Sequence, residues 1–594
     1  VASYQPEACQ TKHRLEMAIP LCLLLIIPVA SSLTNYPIAH TSYGSVRGYE
    51  YQANNGFVGE IFKKIPFAAP PIGERRWKKP VPPEPWNYTM DGTFFGPACA
   101  QHPSYYEGYV TGFSEDCLTL NVYTSRSCME SNASCPVVFF IHGGNAITGG
   151  TMSFPDETLI TNFATQGIIM VTIDYRLGVF GAMTLGDETV LPSNLFVHDV
   201  LESLRFTRQE IHNFGGDKDK LTIMGHSTGA TMVLILAFSP GINKPGEEQM
   251  FARAIAMSAS PVMKKKEKQV DRSYAVAAQL GCKGTAQNIV DCLLPFSTDE
   301  LIQAAYDAGE DDAEKMLLDI TLAGEIMPIL SMKELRTNQK PLKLLIGTTS
   351  LELGTVEISR ETDYVNTVLG VRNTEECSRK YKIDLETGKF EPGYSLISQA
   401  TFMLNWIIAN AQAKAGGKVQ LYQFDYPEHP YHGNDMKYVV GSHENTTDAN
   451  DEWLSAVYPF YFTNFIKGLP LPSDWIPVNP EMMNYYSVNK SIEDGIEPEM
   501  KLGYRQMIAD YYRDIIVFDE SVTTIKRKTF KSSLQYKMLP LPPIEQFNLY
   551  DVMFYSMILC IIFLVIVKVY QFCRGRKQSS EKIPILSDRR ISKQ

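Results

Sequence analysis

Four apolar runs that each stop at glycine or a polar cluster constrain this chain more than any other feature. Val137-Val138-Phe139-Phe140-Ile141 stops at His142-Gly143-Gly144, and the run 168–173 (IIMVTI) stops at Asp174-Tyr175-Arg176. The run 221–224 (LTIM) stops at Gly225, and 341–346 (PLKLLI) stops at Gly347. A strand that is apolar along its length has no face for water, so it belongs inside a parallel sheet covered by helices. In such sheets the reactive groups gather beyond the carboxyl ends of the strands. The expectation is an α/β fold with a mostly parallel central sheet flanked by helices.

The third run leads into Gly225-His226-Ser227-Thr228-Gly229, and 228–238 (TGATMVLILAF) reads as a helix. Strand, tight turn and helix together would project the Ser227 hydroxyl clear of the backbone, with small residues at 225 and 229 letting strand and helix approach. A serine needs a base, and the base needs an orienting carboxylate, in the chain order serine, acid, histidine. His432 follows the strand-like Leu421-Tyr422-Gln423-Phe424, with His429 and His443 as competitors. Glu352, in Ser350-Leu351-Glu352-Leu353-Gly354, follows the fourth run, with Glu357 as its rival. The loop His142-Gly143-Gly144-Asn145 and the residue after the serine, Thr228, are placed to supply N–H groups to an oxyanion.

The two ends read differently from the body. The stretch 18–30 (AIPLCLLLIIPVA) is too short to span a bilayer and is followed by Ala30 and Ser32 at cleavage-site spacing, so 17–32 is expected to be a signal peptide. The stretch 552–570 has a single charge, Lys568, and Arg574, Arg576 and Lys577 follow it. About 19 such residues span the hydrocarbon core, and the basic flank favours the cytoplasm. The expected order is therefore a globular domain over 33–533, a Pro-rich stalk over 534–550, one transmembrane helix over 551–570 and a basic cytoplasmic tail over 571–594. That is a single-pass type I membrane protein with a lumenal or extracellular domain. Glu581-Lys582-Ile583-Pro584-Ile585-Leu586 resembles an acidic dileucine sorting signal, which would direct the chain to a lysosome-like organelle; the favoured alternative is an unstructured basic tail lying near anionic lipid.

The net charge is −11 although the tail is basic, which argues against nucleic acid as a partner. Eleven cysteines suit an oxidising compartment. Cys99 with Cys117, Cys282 with Cys292, and Cys128 with Cys135 could each close a loop. Sequons at Asn87, Asn132, Asn445 and Asn489 would be usable after secretion.

Several motifs in order give the chain a family resemblance from Tyr43 to about Tyr512. They are 65–73 (IPFAAPPIG), 115–123 (EDCLTLNVY), 174–178 (DYRLG) and 213–217 (NFGGD), together with the serine turn. The chain resembles the type-B carboxylesterases of the cholinesterase-like α/β-hydrolase family. The resemblance implies a nucleophile at Ser227, an acid at Glu352 and a base at His432. It implies oxyanion donors at Gly144, Asn145 and Thr228, disulfides Cys99–Cys117 and Cys282–Cys292, and ion pairs Arg76–Glu115 and Arg176–Asp199. It implies a small-molecule ester substrate, with no metal and no cofactor.

The chain departs from the family pattern in four places. His226 stands where Glu usually precedes the serine, Asn145 replaces the third loop glycine, and Leu353 replaces a glycine after the acid. The loop from Cys99 to Cys117 has no Trp to stack a choline, so cholinesterase activity is not expected. The leading reading is a serine carboxylesterase that works through an acyl-enzyme. An acyltransferase using the same triad is a close alternative. A catalytically silent adhesion or signalling protein is an alternative of another class.

Overall fold

A computed structural model describes residues 36–534, apart from 106–111, 131–133, 243–249, 262, 310–318, 329–339, 355–362 and 442–447, together with residues 557 and 568. The expected signal peptide, stalk, transmembrane segment and tail lie outside the described residues, except Leu534, which ends a helix, Met557 and Lys568. So do Glu357, His443, Asn132 and Asn445. Among the described residues no helix is long and apolar enough to cross a membrane.

Eleven strands of the described residues form one sheet. In chain order they are β1 (Tyr49–Gln52), β2 (Val58–Pro66), β3 (Thr119–Ser125), β4 (Cys135–Ile141), β5 (Ile169–Ile173), β6 (Gly216–His226), β7 (Arg253–Met257), β8 (Lys343–Thr349), β9 (Lys418–Phe424), β10 (Tyr485–Val488) and β11 (Glu499–Lys501). The spatial order is β11-β10-β9-β8-β7-β6-β4-β5-β3-β2-β1. Every neighbouring pair from β5 to β10 is parallel, and the pairs outside that block are antiparallel.

The four apolar runs are β4, β5, the second half of β6, and β8. All of β5 is buried, as are the last six residues of β8. Helix α2 (Thr228–Phe238) follows β6 and is buried at all eleven positions. A helix that is apolar all round is stable only when it is covered all round, and here it packs on β6 and β7. Helix α1 (Leu195–Glu210) precedes β6, while α3 (Leu396–Lys414) and α4 (Ala449–Lys467) flank β9 in sequence. Ser395 caps α3 and Asp448 caps α4, each accepting from a backbone N–H of the first turn. Tyr422, Phe424, Tyr438, Tyr458 and Phe462 join in the core beside β9.

By contact density the chain divides at Ile515 into two units. The first contains the whole sheet. Among the described residues of the second is the continuation to Leu534 of a helix that begins at Gln506.

Candidate active site

The turn after β6 is built by close approach. A Cβ on Gly225 would lie 2.5 Å from the Gly229 carbonyl, and one on Gly229 would lie 2.2 Å from the Ile141 oxygen. Only glycine fits at either position, and the chain between them is forced into a sharp reversal. Ser227 absorbs it with φ 57° and ψ −125°, a conformation that costs a non-glycine residue of order 1–3 kcal/mol. Its N–H donates to the Met257 carbonyl at 2.9 Å, which fixes the turn against β7.

His432 and Glu352 arrive on the loops after β9 and β8. His432 Nε2 lies 2.8 Å from Ser227 Oγ, and its Nδ1 is hydrogen-bonded to Glu352 Oε2. The other oxygen of Glu352 accepts from Ser258 Oγ at 2.7 Å and from the Thr349 N–H at 2.8 Å. The two loops are tied together: the His432 N–H donates to the Glu352 carbonyl at 2.8 Å, and the Leu351 N–H donates to the Pro430 carbonyl at 2.9 Å. Arg505 anchors the acid loop by donating to the carbonyls of Thr349 and Ser350.

These contacts set the charges. Burial would raise the Glu352 carboxyl, but the His432 charge and the hydrogen bonds from His432, Ser258 and Thr349 outweigh it and hold the acid below its ordinary range. Burial would lower His432, but the charge and hydrogen bond of Glu352 outweigh it and hold the imidazole above its ordinary range. His226 lacks such a partner. Burial, and then repulsion from His432, push it well below its ordinary value, so it is neutral.

The loop after β4 runs beside the serine. Gly144, Asn145 and Ala146 have φ of 97°, 57° and 58°. Asn adopts the left-handed region more readily than most side chains, so the exchange of glycine for Asn145 leaves the turn intact. Gln101 pins this loop: its Oε1 accepts from the Gly149 N–H at 2.9 Å and from Thr148 Oγ1 at 2.8 Å. Thr228 is the first residue of α2, where a backbone N–H has no intrahelical acceptor.

Ser227, His432, Asn145, Phe154, Leu353 and Ile397 border one cavity of about 670 Å³. A second cavity of the same volume lies near the start of β6, beside Arg205, Arg208 and Asp217. That is the amino end of the strand, away from the reactive loops.

The structure thus brings Ser227, His432 and Glu352 together, with Gly144 and Asn145 lining the same cavity and Thr228 next to Ser227 at the start of α2. His429 goes elsewhere, its Nε2 lying 3.3 Å from Asp451 and 2.7 Å from Lys437 Nζ. The disulfides Cys99–Cys117 and Cys282–Cys292 are present, as is Cys128–Cys135. Arg76 pairs with Glu115 and Arg176 with Asp199, each at 2.6 Å. Asn87 is exposed and Asn489 half-buried. Among the described residues no group of His, Cys, Asp and Glu could hold a metal ion.

Sequence reasoning missed Ser258, Gln101, Arg505 and Asp435. Asp435 is fully buried, accepts from the hydroxyls of Tyr422 and Tyr458, and is pushed up to about 6 by burial and by the charge of Glu352. Its place three residues after His432 was a signal available in the sequence.

A mostly parallel sheet with a strained serine between strand and helix, and with a buried glutamate and a histidine brought to it on later loops, defines an α/β-hydrolase. The chain belongs to the carboxylesterase family, which matches residues 35–510. It is 34% identical over 285 residues to a juvenile hormone esterase of Tribolium castaneum, which is 47% of each chain. It is 26% identical over 566 residues to mouse neuroligin-2, covering 80% of this chain and 66% of that one. A solved PNB esterase superposes with a TM-score of 0.65 at 26% identity, covering 80% of this chain and all of that one. The chain spans about half the length of the juvenile hormone esterase and gut esterases it matches.

Proposed function

We propose that this chain is a serine carboxylic-ester hydrolase. The observation that carries the reading is His432, with Nε2 at 2.8 Å from Ser227 Oγ and Nδ1 on a charged, buried Glu352. Ser227 Oγ attacks the ester carbonyl carbon while His432 Nε2 takes its proton. The carbonyl oxygen becomes an oxyanion within reach of the N–H groups of Gly144, Asn145 and Thr228. When the tetrahedral species collapses, the C–O bond to the alcohol breaks and His432 returns the proton to the departing oxygen. Water then repeats the sequence on the acyl-Ser227 ester and releases the acid. Glu352 keeps the imidazole oriented and stabilises its charged form.

Neuroligin-2 raises the adhesion reading. The intact Ser227–His432–Glu352 geometry favours catalysis, because a silent domain has no need to keep a strained serine aligned with a base. The test is an organofluorophosphonate probe on the full-length chain. Labelling is expected, and Ser227→Ala should abolish it. Persistent labelling of that variant would overturn the assignment.

We also propose that 17–32 is a signal peptide and 33–533 the hydrolase domain, with 534–550 as a stalk leading to a membrane anchor at 551–570 and a cytoplasmic tail at 571–594. The support is the apolar run 552–570 and its basic flank. The chain should stay in the membrane fraction after alkaline carbonate extraction.

A further inference from the structure

The loop after β4 carries two of the three proposed oxyanion donors, and it is closed on itself. Gly144, Asn145 and Ala146 are three successive residues in the left-handed region. Residues with side chains stay there only when their surroundings hold them. The N–H groups of Ile147 and Thr148 both donate to the Gly144 carbonyl, at 3.1 and 3.0 Å. A Cβ on Gly144 would lie 2.0 Å from the Thr148 carbonyl oxygen, so the two backbones touch. The Gly144 carbonyl and the Asn145 N–H belong to one planar trans peptide and point in opposite directions. Whatever fixes Thr148 therefore also fixes the direction of the Asn145 N–H.

Gln101 does so from a distant part of the chain. Its side chain is 3% exposed and uses its whole hydrogen-bonding capacity. Oε1 accepts from Thr148 Oγ1 at 2.8 Å and from the Gly149 N–H at 2.9 Å. Nε2 donates to the Gly149 carbonyl at 2.8 Å and to the Cys99 carbonyl at 2.9 Å. Three of these bonds reach the loop, and two of them close a ring with Gly149. The fourth ties Gln101 to Cys99, which is held by its disulfide to Cys117 and by backbone pairing with Ser114. The loop has two further holds. Tyr175 donates its hydroxyl to the His142 carbonyl at 2.9 Å, and Asp174 accepts from the Thr151 N–H at 2.9 Å and from Thr151 Oγ1 at 2.7 Å. These lie before and after the closed turn, so loss of Gln101 would free its middle and leave both ends attached.

We infer that Gln101 is a positioning residue for the oxyanion: it keeps the Gly144–Asn145 peptide aimed at the oxygen that becomes charged. This rests on the serine-hydrolase reading above. Gln101 is not among the described residues that line the cavity beside Ser227, so it acts through the loop. Charge appears on that oxygen only in the tetrahedral species, so a misaimed N–H lowers kcat and leaves ground-state binding alone.

The test is Gln101→Met, which keeps the length and bulk of the side chain and removes all four bonds. On the full-length chain in detergent, with p-nitrophenyl butyrate well below the thermal midpoint, kcat should fall about ten- to a hundredfold while KM stays within about threefold. A trifluoromethyl ketone, 1,1,1-trifluorododecan-2-one, gives a second readout. Ser227 Oγ adds to its carbonyl carbon, the serine proton passes to His432 Nε2, and the carbonyl oxygen becomes an oxyanion. Its inhibition constant should rise by the same factor as kcat falls. Gln101→Glu keeps the two accepted bonds and loses the two donated ones, and should give a loss of about three- to tenfold in both readouts. If the methionine variant does not fold, the glutamate variant decides. A lower thermal midpoint with kcat and the inhibition constant unchanged would assign Gln101 to packing and overturn the inference, and so would a loss confined to KM. If fluorophosphonate labels the wild type while the variants stay fully active, this inference alone fails. If the wild type is not labelled, the hydrolase reading fails and this inference falls with it.

Discussion

The proposed nucleophile and its two proposed partners are held in place by different means. Ser227 sits between β6 and α2, where backbone packs on backbone and the turn admits no side chain at 225 or 229. His432 and Glu352 sit on loops whose ends are joined by hydrogen bonds, 80 residues of sequence from each other, with His432 lying 205 from the serine. The first region is fixed by steric exclusion within a few consecutive residues. The second is fixed by polar contacts between segments that meet only in the folded protein. Substitutions should therefore act through folding in the first region and through alignment in the second.

The sharpest way to break that contrast is to remove the base. His432→Ala should lower kcat by roughly 10³ or more and leave thermal stability nearly unchanged, and Glu352→Gln should lower kcat by a smaller but still large factor. His429→Ala, at the Lys437 and Asp451 cluster, should change kcat by less than about threefold. A reversal of the two histidines would show that the loop after β9 works differently from its geometry.

In the nucleophile region the corresponding change is Gly229→Ala. Its Cβ would meet the Ile141 oxygen at 2.2 Å, and neither backbone can yield without moving β4 or α2. The expected cost is about 3 kcal/mol, seen as a lower thermal midpoint. Leu353→Ala, half-buried on the acid loop, should cost less than about 1 kcal/mol. Similar losses in both variants would remove the distinction between the regions.

The pH profile reads the second region directly. In the proposed mechanism His432 must be neutral to take the Ser227 proton. Glu352 stabilises the imidazolium, so His432 holds its proton to a higher pH than a free histidine, whose value is 6.5. The acidic limb of kcat/KM should therefore lie above pH 6.5, with activity lost as pH falls through it. A midpoint below 6.5 would mean that burial outweighs the carboxylate.

The same contrast decides what could be read from sequence. The buried strands and α2 were legible because a segment with no solvent face must be apolar throughout; α2 is observed over 228–238, as its sequence reads. The charged start of β6, Gly216–Lys220, escaped notice because Lys218, Asp219 and Lys220 are exposed, Asp217 is only half-buried, and the stretch reads as loop. Ser227 was legible because its neighbours in sequence are also its neighbours in space. For His432 and Glu352, spacing left rivals open, and only the family resemblance chose between them. Ser258, Gln101 and Arg505 were illegible because nothing near them in sequence records that they reach the site.

Ser258 offers the smallest and most diagnostic perturbation. It is fully buried, stands at φ 51°, and donates its hydroxyl to Glu352 Oε1 at 2.7 Å. Ser258→Ala removes one of the donors that draw charge off the carboxylate and leaves the backbone where it is. With Oε1 held by the Thr349 N–H alone, more of the negative charge is felt by His432. The imidazolium is then better stabilised, and the base is harder to free. The expected result is a fall in kcat/KM at neutral pH of up to about tenfold, with the acidic limb moved to higher pH. A serine that only filled space would lower stability and leave the limb where it was. A limb that stays fixed while the thermal midpoint drops would therefore assign Ser258 to packing, and would place the control of His432 in its direct bond to Glu352 alone.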